Sequence, residues 1–231
     1  NFKFDGKIGN NFYSTELNEV YTQGDGLVAS DYDNMDNATV VKSSNFVTPY
    51  RRSAMYFDLN FDYASLLFLE ITGRNDWSST LPPDKKSFFY PSANLSFVFT
   101  QLNGLKGNIL NYGKLRLSAA QVGKDAPAFA LNGYYTKATF SDGYTSGITY
   151  PNDGVAGFGR VTTLGNPNLK PEKTTSYEVG LNLQFFNNRL GLDATAYYSK
   201  GQDLIVSAPL ASTTGYTSQV INSGSIETKG I

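Results

Sequence analysis

Three carboxylates stand close enough in the sequence to share a chemical task. Asp58 and Asp62 fall four residues apart in "MYFDLNFDYASLLFLEITG", and Glu70 follows beyond a short break in the pattern. Two carboxyls roughly 5 to 10 Å apart can serve as acid and nucleophile on a glycosidic bond, so the group is a candidate for sugar hydrolysis. Acidic residues alternating with apolar ones are also what the watery face of a strand carries, and that reading takes precedence: the chain is read as no enzyme. Asp31, Asp33 and Asp36 in "SDYDNMDNAT" alternate like calcium ligands but lack the Gly and Glu at the sixth and twelfth positions of an EF-hand loop. "GVAGFGR" holds part of a nucleotide fingerprint without the strand–turn–helix context that gives it meaning. The chain has neither Cys nor His, which excludes thiolate and imidazole metal centres, a Cys nucleophile and any His-dependent triad. No catalytic, cofactor or metal residue is therefore assigned. A net charge of -1 gives no electrostatic case for nucleic acid.

What remains is contact chemistry. In the Gly-rich stretch 140–160, Tyr144 and Tyr150 could stack on sugar rings, with Phe140 and Arg160 beside them; such exposed tyrosines serve equally well as packing. Arg51 and Arg52 could meet lipid headgroups or an anionic cargo, and a solvated interfacial pair is the plainer reading.

These residues must be held by strands. In "EVGLNLQFFNNRLGLDATAYY" the apolar positions are odd up to Phe185 (Val179, Leu181, Leu183) and even after Asn188 (Leu190, Leu192, Ala194, Ala196). Period two marks a strand with one apolar face. The change of parity keeps that face continuous across a hairpin turning at Asn187 and Asn188, since Asn tolerates positive φ and suits a two-residue type I′ turn. That turn pairs Phe186 with Arg189, Phe185 with Leu190 and Leu183 with Leu192. From Met55 to Ile71 the apolar positions stay odd, which needs an odd loop and predicts a three-residue turn at Ala64, Ser65 and Leu66, pairing Phe61 with Leu69. "FFYPSANLSFVF" and "GKLRLSAAQ" alternate likewise.

About eight strands result. Their connections read as short (64–66, 101–112, 187–188) alternating with long (24–50, 78–87, 124–172, 202–217), as in a barrel with short periplasmic turns and long extracellular loops. No run of about 18 apolar residues is present, so no membrane helix is expected, but a barrel crosses without one. Aromatics make up 14% of the chain and gather at strand ends: Trp77, Phe88, Phe89, Tyr90, Tyr177, Tyr197 and Tyr198 near long loops, Tyr63, Phe99, Tyr112, Phe185 and Phe186 near short ones. That placement suits interfacial girdles. Val179, Leu181, Leu183, Leu190 and Leu192 are expected to face lipid. Asp58, Asp62, Glu70, Arg116 and Asp193 share the other face with Lys114 and Glu178, and are expected to line a watery lumen. Two other architectures also fit alternation: a secreted soluble β-sandwich that binds carbohydrate through tyrosines, and a small closed eight-strand outer-membrane barrel.

Five segments, "GRNDWSSTLP" (73–82), "FFYPSANLSFVF" (88–99), "GKLRLSAAQVG" (113–123), "NPNLKPEKTTSYEVG" (166–180) and "NSGSIETKGI" (222–231), resemble in order and spacing the barrel of SusC/RagA-type TonB-dependent transporters of Bacteroidetes. "VGKDAP" departs from the Gly-Asn usual at that point, a loop variation. The resemblance implies an all-β, antiparallel transmembrane β-barrel fragment, about eight strands of a barrel of about 22, in the bacterial outer membrane. It also implies import of oligosaccharides or peptides with a SusD-like surface lipoprotein, and coupling to the TonB complex through a plug region outside this chain. No cofactor is implied; the other partners are membrane lipid and the remainder of the barrel. Residues 1–231 are all read as barrel, with plug and TonB box elsewhere. The Pro167 and Pro171 motif is read as an ordered turn feeding the strand after it.

Overall fold

Strands that are apolar on one side only need neighbours along both edges and a partner for the apolar side. The computed structural model, which describes residues 1–102, 104–144 and 147–231, supplies the neighbours and leaves the apolar side open. Its strands are β1 (Phe2–Leu27), β2 (Ala38–Tyr63), β3 (Leu67–Ser78), β4 (Ser87–Phe97), β5 (Leu110–Lys124), β6 (Tyr135–Lys137), β7 (Thr139–Phe140), β8 (Ile148–Thr149), β9 (Phe158–Arg160), β10 (Thr163–Leu164), β11 (Glu172–Phe185), β12 (Leu190–Gln202), β13 (Ile205–Pro209), β14 (Ser218–Asn222) and β15 (Ser225–Gly230). Eight of them form one antiparallel sheet in the order β1-β2-β3-β4-β5-β11-β12-β15. The rest make small ribbons, β10-β14-β13, β6-β9 and β7-β8, within the two longest connections.

The registers follow the alternation. Leu183 pairs with Leu192 and Phe185 with Leu190; Phe61 pairs with Leu69 around the turn at 64–66, where Ala64 and Ser65 take positive φ and the Asp62 carboxylate accepts the Ser65 amide at 2.9 Å. The Asn187–Asn188 turn is wider than a type I′ pair. Phe186 joins both asparagines at positive φ, and the Arg189 amide donates to the carbonyls of Phe185 and Phe186. Phe186 and Arg189 therefore leave the ladder. Two extra loop residues preserve parity, so every pair beyond is unchanged.

One continuous row reads Phe4, Phe61, Leu69, Leu95, Leu117, Val179, Ala196; the adjacent row reads Asp5, Asn60, Glu70, Asn94, Ser118, Glu178, Tyr197. The sheet thus has an apolar and a polar face across all seven strands. No second sheet covers the apolar face: Ile8, Leu190 and Val179 are 84%, 55% and 51% exposed. That arrangement is not a sandwich. Nor do β1 and β15, at opposite ends of the sheet, close a barrel among the described residues. Aromatic rings cover cross-strand glycines, Phe57 over Gly73 and Tyr56 over Gly9, where a Cβ would clash at 2.5 and 2.3 Å. Such rings fill the gap a missing side chain leaves in a ladder.

Two further sequence expectations change. The stretch 24–50 is not a long loop: β1 and β2 pair over almost their whole 26-residue lengths, and only 28–37 lies between them. The 98–109 connection is twelve residues long and carries a 3₁₀ turn at Phe99–Gln101, so short and long connections do not alternate strictly. Of the aromatics gathered at the long-loop end of β4, Phe88 and Tyr90 lie on the face opposite Phe89, as adjacent residues on a strand must; Phe88 is buried while Phe89 is half exposed.

Candidate functional site

The polar face is a wall of charges that largely neutralise one another. Lys3 and Lys7 lie directly opposite Asp62 and Asp58, with N–O separations of 3.9 and 3.8 Å. The Asn60 amide donates to Asp58 and the Asn94 amide to Glu70, both at 2.7 Å. Arg116 pairs with Asp193, which also accepts from Asn182 at 2.8 Å. Asp58, Asp62, Glu70, Arg116 and Asp193 share this face of the sheet. Asp58 and Glu70 are engaged by amides and an ammonium, an arrangement of structural pairing, and among the described residues no cluster of three potential metal ligands forms; Asp31, Asp33 and Asp36 sit in the 28–37 tip.

Towards the long connections this wall ends in a compact core. Leu81, Phe88, Ala126, Ala130 and Leu169 are buried together, with Tyr90, Leu131, Ile205 and Val220 packed around them. Leu169 is fully buried. The Asn222 side chain accepts the Lys170 amide and donates to the Lys170 and Asp203 carbonyls at 2.8 to 2.9 Å, and Lys85 donates to the Asn168 carbonyl. The recurrent segments of the sequence therefore meet in space: "TLP" through Leu81, "FFYP" through Phe88, "NPNLKPE" through Leu169 and "NSG" through Asn222. Beside them, Asp76 (1% exposed) accepts from Arg74 at 2.8 Å and from the Tyr90 hydroxyl at 2.7 Å. Arg52 reaches Asp76 at 3.9 Å, whereas Arg51 points to the other face; the two arginines are not a pair. Tyr50 donates to Asp125 at 2.7 Å, and burial together with that carboxylate pushes its hydroxyl up to about 12.

A cleft of about 650 Å³ opens next to this core, walled by Phe129, Tyr134, Thr163, Ile205 and Val220 with Arg160 at its side. The Arg160 guanidinium lies 4.0 Å over the Tyr216 ring and donates to the Gly215 carbonyl. Phe46 of the β1–β2 hairpin packs on Phe129 and Tyr134 with centroids 5.5 and 5.9 Å away. The four contact candidates do not form one site. Phe140 and Tyr150 meet edge to face, with Tyr150 lying over Gly157; Tyr144 is 97% exposed, its amide donating to the Asp142 carboxylate at 2.9 Å; of the four, only Arg160 lines the cleft. Phe46, Phe129 and Tyr134 went unrecognised because Phe46 lies in a segment whose alternation is faint.

Phe12 on β1 stands in the row of Trp77, and from β3 to β12 the outermost aromatic of the apolar face steps down the sheet. It is Trp77 on β3, Phe89 in the row of Asn75 on β4, and Tyr177 and Tyr198 in the row of Ile71 on β11 and β12. Six residues of descent over four strand spacings is ~20 Å against ~19 Å, a tilt of ~45°. At the other end Tyr63 and Phe97 share the row of Leu181, four residues above Phe185, giving ~35°. Two aromatic borders, descending in the same sense at the tilt of a transmembrane barrel strand, enclose the aliphatic band.

A tilted antiparallel sheet, greasy on one face, polar on the other and uncovered on both, is a section of a β-barrel wall. All 231 residues match the family model "TonB dependent receptor-like, beta-barrel", and the chain belongs to that family, whose members are outer-membrane proteins. It is 30% identical over 222 residues to TonB-dependent receptor P26 of Formosa agariphila, covering 94% of this chain and 21% of that protein. It is also 30% identical over 183 residues to TonB-dependent receptor SusC of Bacteroides thetaiotaomicron, covering 75% of this chain and 17% of SusC. The solved RagAB peptide transporter has the same fold over 98% of this chain and 24% of that one, with a TM-score of 0.80 at 19% identity. The chain thus spans about a fifth of the curated relatives it matches.

Proposed function

We propose that this chain is the wall section of an outer-membrane nutrient importer driven through TonB. Its apolar face, including Val179, Leu181, Leu183, Leu190 and Leu192, meets lipid; its polar face, including Asp58, Asp62, Glu70, Arg116 and Asp193, meets the lumen and the plug within it. The observation that carries this is the uncovered apolar band between two aromatic borders: in water it would be an aggregation surface, and in a bilayer it is at its lowest free energy. The cargo is an oligosaccharide or a peptide, taken up with a SusD-like lipoprotein that caps the loop end; the plug and the TonB contact lie in parts of the protein outside these residues. The loop-end core and cleft, with Arg160 and the aromatic residues of 140–160, are the surfaces this chain offers to cargo or cap.

Cells producing the intact protein should accumulate a labelled oligosaccharide or peptide pool and stop when the proton gradient is collapsed. Uptake indifferent to that collapse would refute energy-coupled import. The orientation is tested separately by Leu183→Asp, which should abolish assembly in the membrane; normal insertion would reverse the assignment of faces.

A further inference from the structure

Above the aromatic border, the apolar face turns basic along one line. Residues of that face on β11 run Leu183, Leu181, Val179, Tyr177, Thr175, Lys173, and on β12 they run Leu192, Ala194, Ala196, Tyr198, Lys200. Lys173 pairs with Gln202 and Lys200 with Thr175, so these two lysines are diagonal neighbours. On β15, Lys229 pairs with Tyr198 and Glu227 with Lys200, which makes Lys229 the next diagonal neighbour. Each step moves one strand across and two residues down, the same slope that carries Trp77 to Phe89 on the aromatic border. The three lysines therefore descend in the same sense as that border, with ~7–8 Å between neighbouring positions. The line runs four residues above Tyr177 on β11 and two above Tyr198 on β12, ~13 and ~7 Å along the strands, within reach of the headgroup layer for a snorkelling lysine.

The line carries a net positive charge. Among the described residues its one carboxylate is Glu227, 2.8 Å from the Lys200 ammonium; Glu172 is on the opposite face, bound to Lys124 and the Ile205 amide. Lys173 and Lys229 are exposed and form no ion pair among the described residues. Their neighbours on this face at the same level, Gln121, Thr175 and Gln202, are neutral hydrogen-bonding groups.

We propose that Lys173, Lys200 and Lys229 bind the phosphate groups of an anionic lipid in the outer leaflet. The proposal rests on the lipid-facing reading of the apolar face and goes beyond it: hydrocarbon contact needs only the aliphatic band, whereas three neighbouring lysines just above the aromatic border select a headgroup. Cations at a membrane surface each strengthen attachment to anionic lipid severalfold. Glu227 limits the attraction and holds Lys200 in line.

The test uses the intact protein in nanodiscs of zwitterionic lipid doped with a minor fraction of a phosphate-bearing anionic lipid, with native mass spectrometry counting the anionic molecules retained. The triple variant K173Q/K200Q/K229Q should lose at least about tenfold of the enrichment, and E227Q should raise it about twofold or more. Free inorganic phosphate at millimolar concentration should not displace the lipid. A fluorophore at Leu183 quenched by brominated chains reports the underlying orientation independently. Quenching with unchanged enrichment in the triple variant would overturn the lysine site alone; no quenching would overturn the lipid-facing reading and the site with it.

Discussion

The β1–β2 hairpin contains two regions with one backbone conformation and two environments. From Phe2 to Phe12, paired with Met55 to Tyr63 and Ala54 and Ser53 beyond, positions of the apolar face hold Phe2, Phe4, Ile8, Phe12, Met55, Phe57, Leu59, Phe61 and Tyr63. Above Tyr13 the ladder continues unbroken to Leu27 and Ala38, yet the same face holds Ser14, Glu16, Asn18, Thr22, Ser43, Asn45 and Arg51 among a few valines. The two strands run roughly 85 Å, and only about the first two fifths has the side chains a bilayer demands. β3 pairs with β2 no further than Arg52, so above it β2 is an edge strand and tolerates Pro49, whose missing N–H would break an inner ladder. Hydrogen bonding makes the strand; side-chain alternation decides which part of it can sit in hydrocarbon.

The largest expected effect breaks that equivalence directly. Leu59→Arg puts a charge in the middle of the stem, where a lipid-facing cation costs about 2–4 kcal/mol. Val47→Arg puts the same charge on the same face of the extension, where surface substitutions fall within about 0.5 kcal/mol. Denaturant unfolding from phospholipid vesicles should separate the two variants. Equal stabilities would mean that the stem is not in lipid.

Next is the contrast between the stem, which has no dry core of its own, and the loop end, which has one. Leu169→Ala removes a fully buried side chain and should destabilise the loop assembly by about 2–3 kcal/mol. Hydrogen exchange should rise around 126–131, 166–171 and 218–222 while the ladder between β2 and β3 stays protected. Exchange rising equally in both places would make the molecule one cooperative unit.

This contrast also explains what could be read in advance. The faces, the Leu183–Leu192 and Phe61–Leu69 registers and the odd turn at 64–66 were legible because one buried-or-lipid face fixes register to the residue. The extension was not, since a strand wet on both sides need show no alternation: Val20, Tyr21 and Gln23 obey no pattern, and Gly24 and Pro49 read as breakers. The loop-end core was hidden for another reason. Leu81, Leu169 and Asn222 are brought together by tertiary packing across more than a hundred residues, and no local spacing records that. The family segments were visible as words, and their common meeting place became visible only in three dimensions.

A smaller effect concerns the wall. Lys7 and Asp58 form a long, partly exposed pair at 3.8 Å, worth at most about 1 kcal/mol. Asp58→Asn should therefore leave stability within about that limit and reduce its dependence on salt. A loss several times larger would show that the pair is sealed from water, which would argue for plug packing directly on this part of the wall.

The smallest expected effect is at the far tip of the extension, where Lys42 contacts Asp25 at 2.6 Å. Hydrogen bonds from Lys42 and Gln23 hold the Asp25 carboxyl below its ordinary value of 3.8. A carboxylate with a lowered value in the folded chain stabilises it above the ordinary value, and that contribution disappears as pH falls through the lowered one. The tip should accordingly be tightest at neutral pH and loosen only below about pH 4. In wild type, the ratio of protease cleavage at the 28–37 tip to cleavage elsewhere should rise on acidification; in Asp25→Asn it should be raised already at pH 7 and change less with pH. The same titration should change the stem by no more than the small worth of its partly exposed Lys3–Asp62 and Lys7–Asp58 pairs on the polar face, because its apolar face carries no ionisable group between Phe2 and Phe12. A stem that loosened together with the tip would mean that the two regions are not separable, and that the extension is held by the membrane segment instead of by its own ladder.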